Sequence, residues 1–295
     1  MIGAGAVTIA ILAIAAVVAL AQGGGTVQKH PVAAAKAPVP ARPAPRRLSA
    51  VHPASRTPSI DAKGDANIRR LAQLGLPIYC AGPRGHDVAF TFDDGPGPYT
   101  HYALKKLSQA HERATFFVVG RSMDDFPGWV NKELPVAAIG DHTYTHPVLT
   151  ELSSDEVASQ IERTKQKIEG ATGQRVYLFR PPYGARSAMV DSVVKQLGLL
   201  EIVWSVDSAD SLGANWAGII RNVEAGLYPG AIILMHENRG QTIRALTTLL
   251  PVLHRMHLHS VTLPELFATD PPSVAQVRLG GRGCGRPVKG TLSAG

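Results

Sequence analysis

From about residue 71 onward, short apolar runs alternate with stretches of helical periodicity. The runs at 88–92, 115–119, 136–139, 176–179, 202–206, 232–235 and 260–263 are rich in Val, Ile, Leu and Phe, as strands buried on both faces are. Helical segments separate most of them. The clearest covers 154–169: Ser153 and Glu156 are spaced as a capping box, Val157, Ile161 and Ile168 share one face, and Gly170 or Gly173 can end it. Another covers 187–197, with Gly198 just past its end. Strands that alternate with helices pair in parallel, and seven such units predict an α/β fold, either a closed β/α barrel or a doubly wound sheet.

The polar residues favour the barrel. Asp93 and Asp94 follow the first run, Asp141 and His142 the third, and Arg180, Pro181, Pro182 and Tyr183 the fourth. Asp207 and Asp210 follow the fifth, and His236 follows the sixth. Five strand ends thus deliver residues suited to catalysis to one rim, the C-terminal face where barrel active sites are built.

His142 and His146, with a carboxylate from another strand end, supply two imidazoles and one oxygen donor, enough to hold a catalytic divalent ion and leave positions open. A helical course between them is disfavoured, because Thr143, Tyr144 and Thr145 are poor helix formers and Pro147 follows, so the pair is expected on a loop. Asp93 and Asp94 cannot both point the same way from extended backbone and can therefore take different tasks, one on the metal and one on a proton. Each feature alone has a plainer reading, two surface histidines or an Asp-rich turn before Gly95-Pro96-Gly97-Pro98.

Together these residues resemble the polysaccharide deacetylase family (NodB-homology, carbohydrate esterase family 4). The carrying motifs are TFDDGP at 91–96, HTYTH at 142–146, RPPYG at 180–184, D-x-x-D at 207–210 and LMH at 234–236, over roughly residues 79–268. The resemblance implies a distorted (β/α)7-type barrel in which Asp94, His142 and His146 hold Zn2+ or another divalent metal such as Co2+. It also implies Asp93 as general base, Arg180 as the group that orients it, the backbone N–H of Tyr183 as oxyanion donor, and His236 as general acid paired with Asp210. Pro182, Tyr183 and Leu234 would contact substrate. The implied reaction is removal of acetyl groups from an N-acetylated cell-surface polysaccharide such as peptidoglycan or a chitin-like polymer. A non-catalytic wall-binding module, a small-molecule amidohydrolase and an O-acetyl xylan esterase are the alternatives. The family often carries Trp after the second Asp of D-x-x-D, where this chain has Ser211, and Leu234, Trp204 or Trp216 could supply apolar surface in its place. Trp204 itself, inside an apolar run, reads as core. His101, His111, His254, His257 and His259 follow no strand end beside the site and read as structural or surface residues.

Charge and composition narrow the setting. The chain has 295 residues, 45% hydrophobic and 18% charged, ordinary for one globular domain with flexible ends. Its net charge of +7 sits in the ends: Lys29, Lys36, Arg42, Arg46, Arg47 and Arg56 precede residue 61, Arg278, Arg282, Arg286 and Lys289 follow residue 270, and no acid accompanies them, which leaves 61–270 at −3. That distribution argues against a nucleic-acid groove and suits an anionic wall or membrane surface. Residues 2–21 are apolar and uncharged, and Ala19-Leu20-Ala21 stands before Gln22, so residues 1–22 read as a signal peptide or a membrane anchor, placing the domain outside the cytoplasm. The expected organisation is 1–22 signal or anchor, 23–70 Pro/Ala-rich basic linker, 71–270 catalytic domain and 271–295 basic tail, as a monomer acting on polysaccharide. Cys80 and Cys284 bracket the domain and fit a disulfide in an oxidising compartment.

Overall fold

The structure, a computed structural model, describes residues 58–285. The expected signal or anchor segment, the linker up to residue 57 and the tail from residue 286 lie outside the described residues. The strands are β1 (Asp87–Gly95), β2 (Ala114–Val118), β3 (Ala137–Asp141), β4 (Leu178–Phe179), β5 (Leu200–Glu201), β6 (Val206–Asp207), β7 (Ile232–His236) and β8 (His259–Ser260). The helices are α1 (Pro58–Ala72), α2 (Thr100–Ala110), α3 (Ser122–Asp125), α4 (Trp129–Glu133), α5 (Ser154–Thr172), α6 (Ala188–Gln196), α7 (Trp216–Gly226), α8 (Gly240–Arg255), α9 (Leu263–Thr269) and α10 (Val274–Leu279). Among the described residues no helix is long and apolar enough to cross a membrane.

The strands pair in parallel in the order β5-β4-β3-β2-β1-β7-β6, with β8 against the start of β1. This is the curled, distorted barrel that the alternating pattern predicts. The expected run 202–206 does not form one strand: β5 ends before it and β6 starts at its last residue. Beside β5 the segment around Ile78 fills the seam, bonding to Glu201 and Val203, while Ala81 bonds to Gly230 next to β7.

Strand alternation divides the core into two layers. Val88, Phe90 and Phe92 of β1, with Ile233 and Met235 of β7, face the surrounding helices, where Leu107, Ile161, Val193, Ile219 and Leu246 cover them. Ala89 and Ile232 face inward with Phe117, Leu178, Leu200 and Ile202. Asp93 therefore shares the interior face of β1 with Ala89 and Thr91, and His236 that of β7 with Ile232 and Leu234. The expected capping box is present: the Ser153 side chain accepts from the Glu156 N–H, Glu156 reaches back to the N-cap, and Gly173 closes α5 in the left-handed region.

Both domain boundaries differ from expectation. The reading of a linker through residue 70 overlooks α1, whose Ile68, Leu71 and Ala72 are buried against the inner core. Asn67 donates to the Phe267 carbonyl at 2.9 Å, and Gly64 lies so close to the Pro264 carbonyl that a Cβ would stand 2.3 Å from it. The apolar face is only one turn long and merges into a Gly/Ala-rich stretch, which hides it. The first part of the expected tail is likewise folded: Ser273 caps α10, Gln276 donates to the Ala81 carbonyl at 2.8 Å, and Cys284 is disulfide-bonded to Cys80. A bridge across 204 positions restrains the unfolded chain strongly. Cys284→Ser should lower unfolding free energy by about 2–5 kcal/mol, read as an earlier midpoint in guanidinium denaturation.

Candidate active site

The site forms where the C-terminal ends of β1, β3, β4, β6 and β7 meet. Pairing register places Asp93 directly beside His236. Ordinary alternation would send Asp94 to the other face of β1, but the β1–β2 register breaks between Asp93 and Gly95, and Asp94 takes the left-handed region with φ 73°. The bulge turns Asp94 back to the rim, so both carboxylates line the same cavity. This corrects the expectation that they point apart: the Nε2 of His142 lies 3.7 Å from Asp93 Oδ2 and 3.7 Å from Asp94 Oδ1. Gly95 is required next, because a Cβ there would overlap the buried Glu237 carboxylate at 1.4 Å.

The loop after β3 carries the two histidines as expected, without helix. Thr143 and His146 have φ of 67° and 60°, and the turn is held by Asp141 accepting from the Thr143 N–H at 2.8 Å and Thr143 Oγ1 accepting from the His146 N–H at 3.1 Å. Gln160 of α5 accepts from the N–H groups of Tyr144 and Thr145 at 3.0 and 2.9 Å, binding the loop to the helix.

Asp94, His142 and His146 form a three-donor cluster. Their facing atoms are 3.1 Å apart between the two Nε2 atoms, 3.2 Å from His146 Nε2 to Asp94 Oδ1 and 3.7 Å from His142 Nε2 to Asp94 Oδ1. A tetrahedral ion with ligands at about 2.0–2.1 Å separates them by roughly 3.3–3.4 Å, so the triangle suits one. Tautomer chemistry agrees. His142 Nδ1 lies 2.7 Å from the Arg180 carbonyl and donates to it, leaving an Nε2 lone pair aimed at the cluster. Burial, followed by the adjacent His146 ring, pushes the His142 pKa down to about 3, keeping the ring neutral as a ligand must be. The donor set therefore fits a divalent metal.

Arg180 is 0% exposed and fills the barrel interior beneath these groups. It donates to Asp93 Oδ1 at 2.8 Å, Thr91 Oγ1 at 2.7 Å and the Val203 carbonyl at 3.1 Å. Asp93 Oδ2 is left facing the cluster. Burial raises the Asp93 pKa, and the charges of Arg180 and His236 pull it back only in part. Beside it, His236 Nδ1 lies 2.7 Å from Asp210 Oδ1. Asp210 is fixed in turn, its Oδ2 accepting from the His236 N–H at 2.8 Å and from Thr242. Burial alone would lower the His236 pKa, but the Asp210 hydrogen bond and the charges of Asp93, Asp210 and Asp94 together outweigh it, and the net shift is upward.

A cavity of about 390 Å³ opens over these groups, walled by Tyr183, Trp204, Ser211, Leu212, Leu234 and Arg239 together with Asp93, Asp94, His142, His146, Asp207 and His236. Tyr183 is 67% exposed, sits at φ 59° on a tight turn, and packs edge-on to His146 with ring centroids 4.6 Å apart. Leu234 lies on the cavity wall, whereas Pro182 is buried within its turn. Trp204, expected as core, does pack against the inner core, but it also forms part of the wall and backs onto Gly184, because the chain between β5 and β6 is irregular. Sequence reasoning missed Thr91, Thr242 and Asn238, the last donating to Asp94 Oδ2 at 3.2 Å. Asn238, two residues beyond His236, could have been found as a polar residue on the same strand end.

Comparison with known proteins places this architecture. The profile described as polysaccharide deacetylase matches residues 81–202. The chitooligosaccharide deacetylase of Rhizobium leguminosarum bv. trifolii is 34% identical over 216 residues, 67% of this chain and 99% of that protein. The chain belongs to the polysaccharide deacetylase family. This deacetylase-family chain is also 34% identical over 232 residues, 78% of its length, to the peptidoglycan-N-acetylglucosamine deacetylase of Listeria monocytogenes, but spans only 48% of that protein. Among solved structures it resembles a carbohydrate esterase family 4 pseudoenzyme from Bacillus anthracis, with a TM-score of 0.61, 31% identity and coverage of 64% of this chain and 68% of that one.

The paired geometry of Asp210 and His236 yields a direct expectation. Asp210→Asn removes the hydrogen-bonding anion that raises the His236 pKa, so in that variant the ring should lose its proton at lower pH, as followed by NMR titration of its carbon-bound protons. An unchanged titration would mean that Asp210 does not set the ring's charge.

Proposed function

We propose that this chain is a metal-dependent hydrolase that removes acetyl groups from an N-acetylated polysaccharide outside the cytoplasm, with peptidoglycan or a chitin-like N-acetylglucosamine polymer as substrate. One observation carries the reading: a three-donor metal cluster shares a single cavity with a buried carboxylate of raised pKa and a histidine paired to an aspartate.

An ion held by Asp94, His142 and His146, taken here as zinc, would supply Lewis acidity toward the acetyl carbonyl and lower the pKa of water. Asp93 then serves as general base. Its Oδ1 is committed to Arg180, so Oδ2 is the atom that receives the proton of the attacking water, and its raised pKa brings its proton affinity nearer to that of the water. Its fixed orientation avoids the cost of aligning a mobile carboxylate.

His236 serves as general acid. With Nδ1 bonded to Asp210, Nε2 is free to donate to the departing sugar nitrogen, and the carboxylates around it favour the imidazolium that must be present beforehand. The backbone N–H of Tyr183 stands as the oxyanion donor, a contribution worth about 3 kcal/mol in comparable sites. The Trp204, Leu212 and Leu234 side chains offer apolar surface to the acetyl methyl and sugar ring in place of the Trp absent at Ser211. Acetate and a free amine leave.

The setting follows from the ends of the chain. Residues 1–22 would direct or anchor it across the membrane, and the basic linker would hold a monomeric domain near an anionic wall. The likeness to the Listeria peptidoglycan-N-acetylglucosamine deacetylase supports that substrate. Asp93, Asp94, both ligand histidines and His236 are all present, and this complete set favours an active enzyme over a wall-binding module despite the likeness to a pseudoenzyme.

Acetate release from N-acetylglucosamine oligomers and from peptidoglycan strands should be abolished by chelator and restored by zinc. Release from O-acetyl xylan alone would move the chain to the esterases, and no release from any glycan by the metal-loaded protein would defeat the proposal. Asp93→Asn should lower kcat by about two to four powers of ten while metal stays bound, whereas His142→Ala should lose the metal as well, read by elemental analysis after dialysis. Activity should rise with pH as Asp93 deprotonates, its limb shifted above the usual carboxylate range, and fall as His236 loses its proton above the usual histidine value.

A further inference from the structure

Two of the histidines that the sequence reading set aside come together at the other end of the barrel. Glu112, between α2 and β2, is 2% exposed, and its Oε2 accepts the backbone N–H of Ser260. That bond fixes the carboxylate and aims Oε1 outward. His254, in the last turn of α8, places Nε2 at 2.9 Å from Oε1, and His259, the first residue of β8, places Nδ1 at 3.3 Å from the same oxygen. The three donor atoms lie within 4.8 Å of one another. Asp87, the residue paired with His259 across β1 and β8, adds another carboxylate nearby.

We propose that Glu112, His254 and His259 form a second metal site, separate from the catalytic cluster, that takes a divalent transition-metal ion such as zinc. Two imidazole nitrogens and one carboxylate oxygen are borderline donors of the kind such ions prefer. Because both nitrogens converge on a single oxygen, an ion placed among them can replace two N–H hydrogen bonds by three coordinate bonds. The carboxylate is already held by backbone, so little ordering is needed beyond the two rings. Those rings are 52% and 63% exposed, which gives solvent access and leaves positions for water ligands.

Position in the fold indicates the role. Asp87 and Asp93 are six residues apart along β1, roughly 20 Å of extended chain, so the site lies at the N-terminal face while the catalytic residues occupy the C-terminal face. In barrels that face serves stability rather than chemistry. An ion there would clip the end of α8, the start of β8 and the α2–β2 connection together, and would stabilise the native state by mass action.

The test counts zinc bound per chain by elemental analysis after stripping with chelator and equilibrium dialysis against zinc alone. The native chain should bind one more zinc than the His254→Gln/His259→Gln chain, while zinc-saturated acetate release stays the same in both. In His142→Ala/His146→Ala, which lacks the catalytic ligands, the remaining zinc should still raise Tm, and adding the His254→Gln/His259→Gln changes should remove that rise. Equal zinc content in the native and His254→Gln/His259→Gln chains would overturn the proposal, as would a Tm that zinc leaves unmoved in His142→Ala/His146→Ala. Neither result depends on whether the C-terminal face deacetylates a glycan.

Discussion

The whole rim is organised by a guanidinium buried in the middle of the barrel. Arg180 has no contact with solvent, and an unpaired charge in that position would be too costly to retain. It is accommodated because Asp93, Thr91 and the carbonyls of Ile202 and Val203 surround its donors, while the rings of Phe117 and Trp204 lie 4.2 and 5.8 Å from its central carbon. The same residue's backbone carbonyl receives the His142 Nδ1 proton. One side chain and its own peptide thus orient Asp93, select the tautomer of His142 and knit β1 to the irregular chain between β5 and β6. Mutual burial also explains why Asp93 has a raised pKa despite an adjacent cation: desolvation of the carboxylate outweighs the ion pair.

Much of this was legible in the chain because strand-end chemistry obeys short-range rules. The apolar runs marked β2, β3 and β7 to within about two residues and the start of β1 to within one, while β1 itself continues through the polar groups to Gly95; those groups could only reach the same face if the strands were parallel. What escaped depended on tertiary contact. The bulge at Asp94 is invisible in a run that reads as continuous strand, and it decides that two neighbouring carboxylates face one cavity. Thr91 and Thr242 look like filler until Arg180 and Asp210 are seen against them. Helix α1 was lost because Gly64, which reads as linker, is there for close packing on Pro264. His254 and His259 follow no strand end on the rim that carries Asp93 and His236, yet the topology brings both to a buried glutamate on the opposite one.

The fold alone would not decide function, since the likeness to a family 4 pseudoenzyme shows that the architecture can be kept without the activity. The case for chemistry rests on division of labour among charged groups that differ in their surroundings. His142 is pushed toward its neutral form by burial and the adjacent His146 ring, His236 is pushed toward its charged form by an aspartate, Asp93 is aligned by an arginine, and Asp94 is left to the histidines and Asn238. Similar residue types take distinct tasks because their hydrogen-bond partners differ.

The most direct measurement of that division is anomalous scattering at the zinc edge from crystals of the zinc-loaded chain. The account predicts a peak about 2.0–2.2 Å from one oxygen of Asp94 and from Nε2 of His142 and His146, with Asp93 Oδ1 still on Arg180 and outside bonding distance of the ion. An ion ligated by Asp93, or no peak among these three side chains, would contradict it.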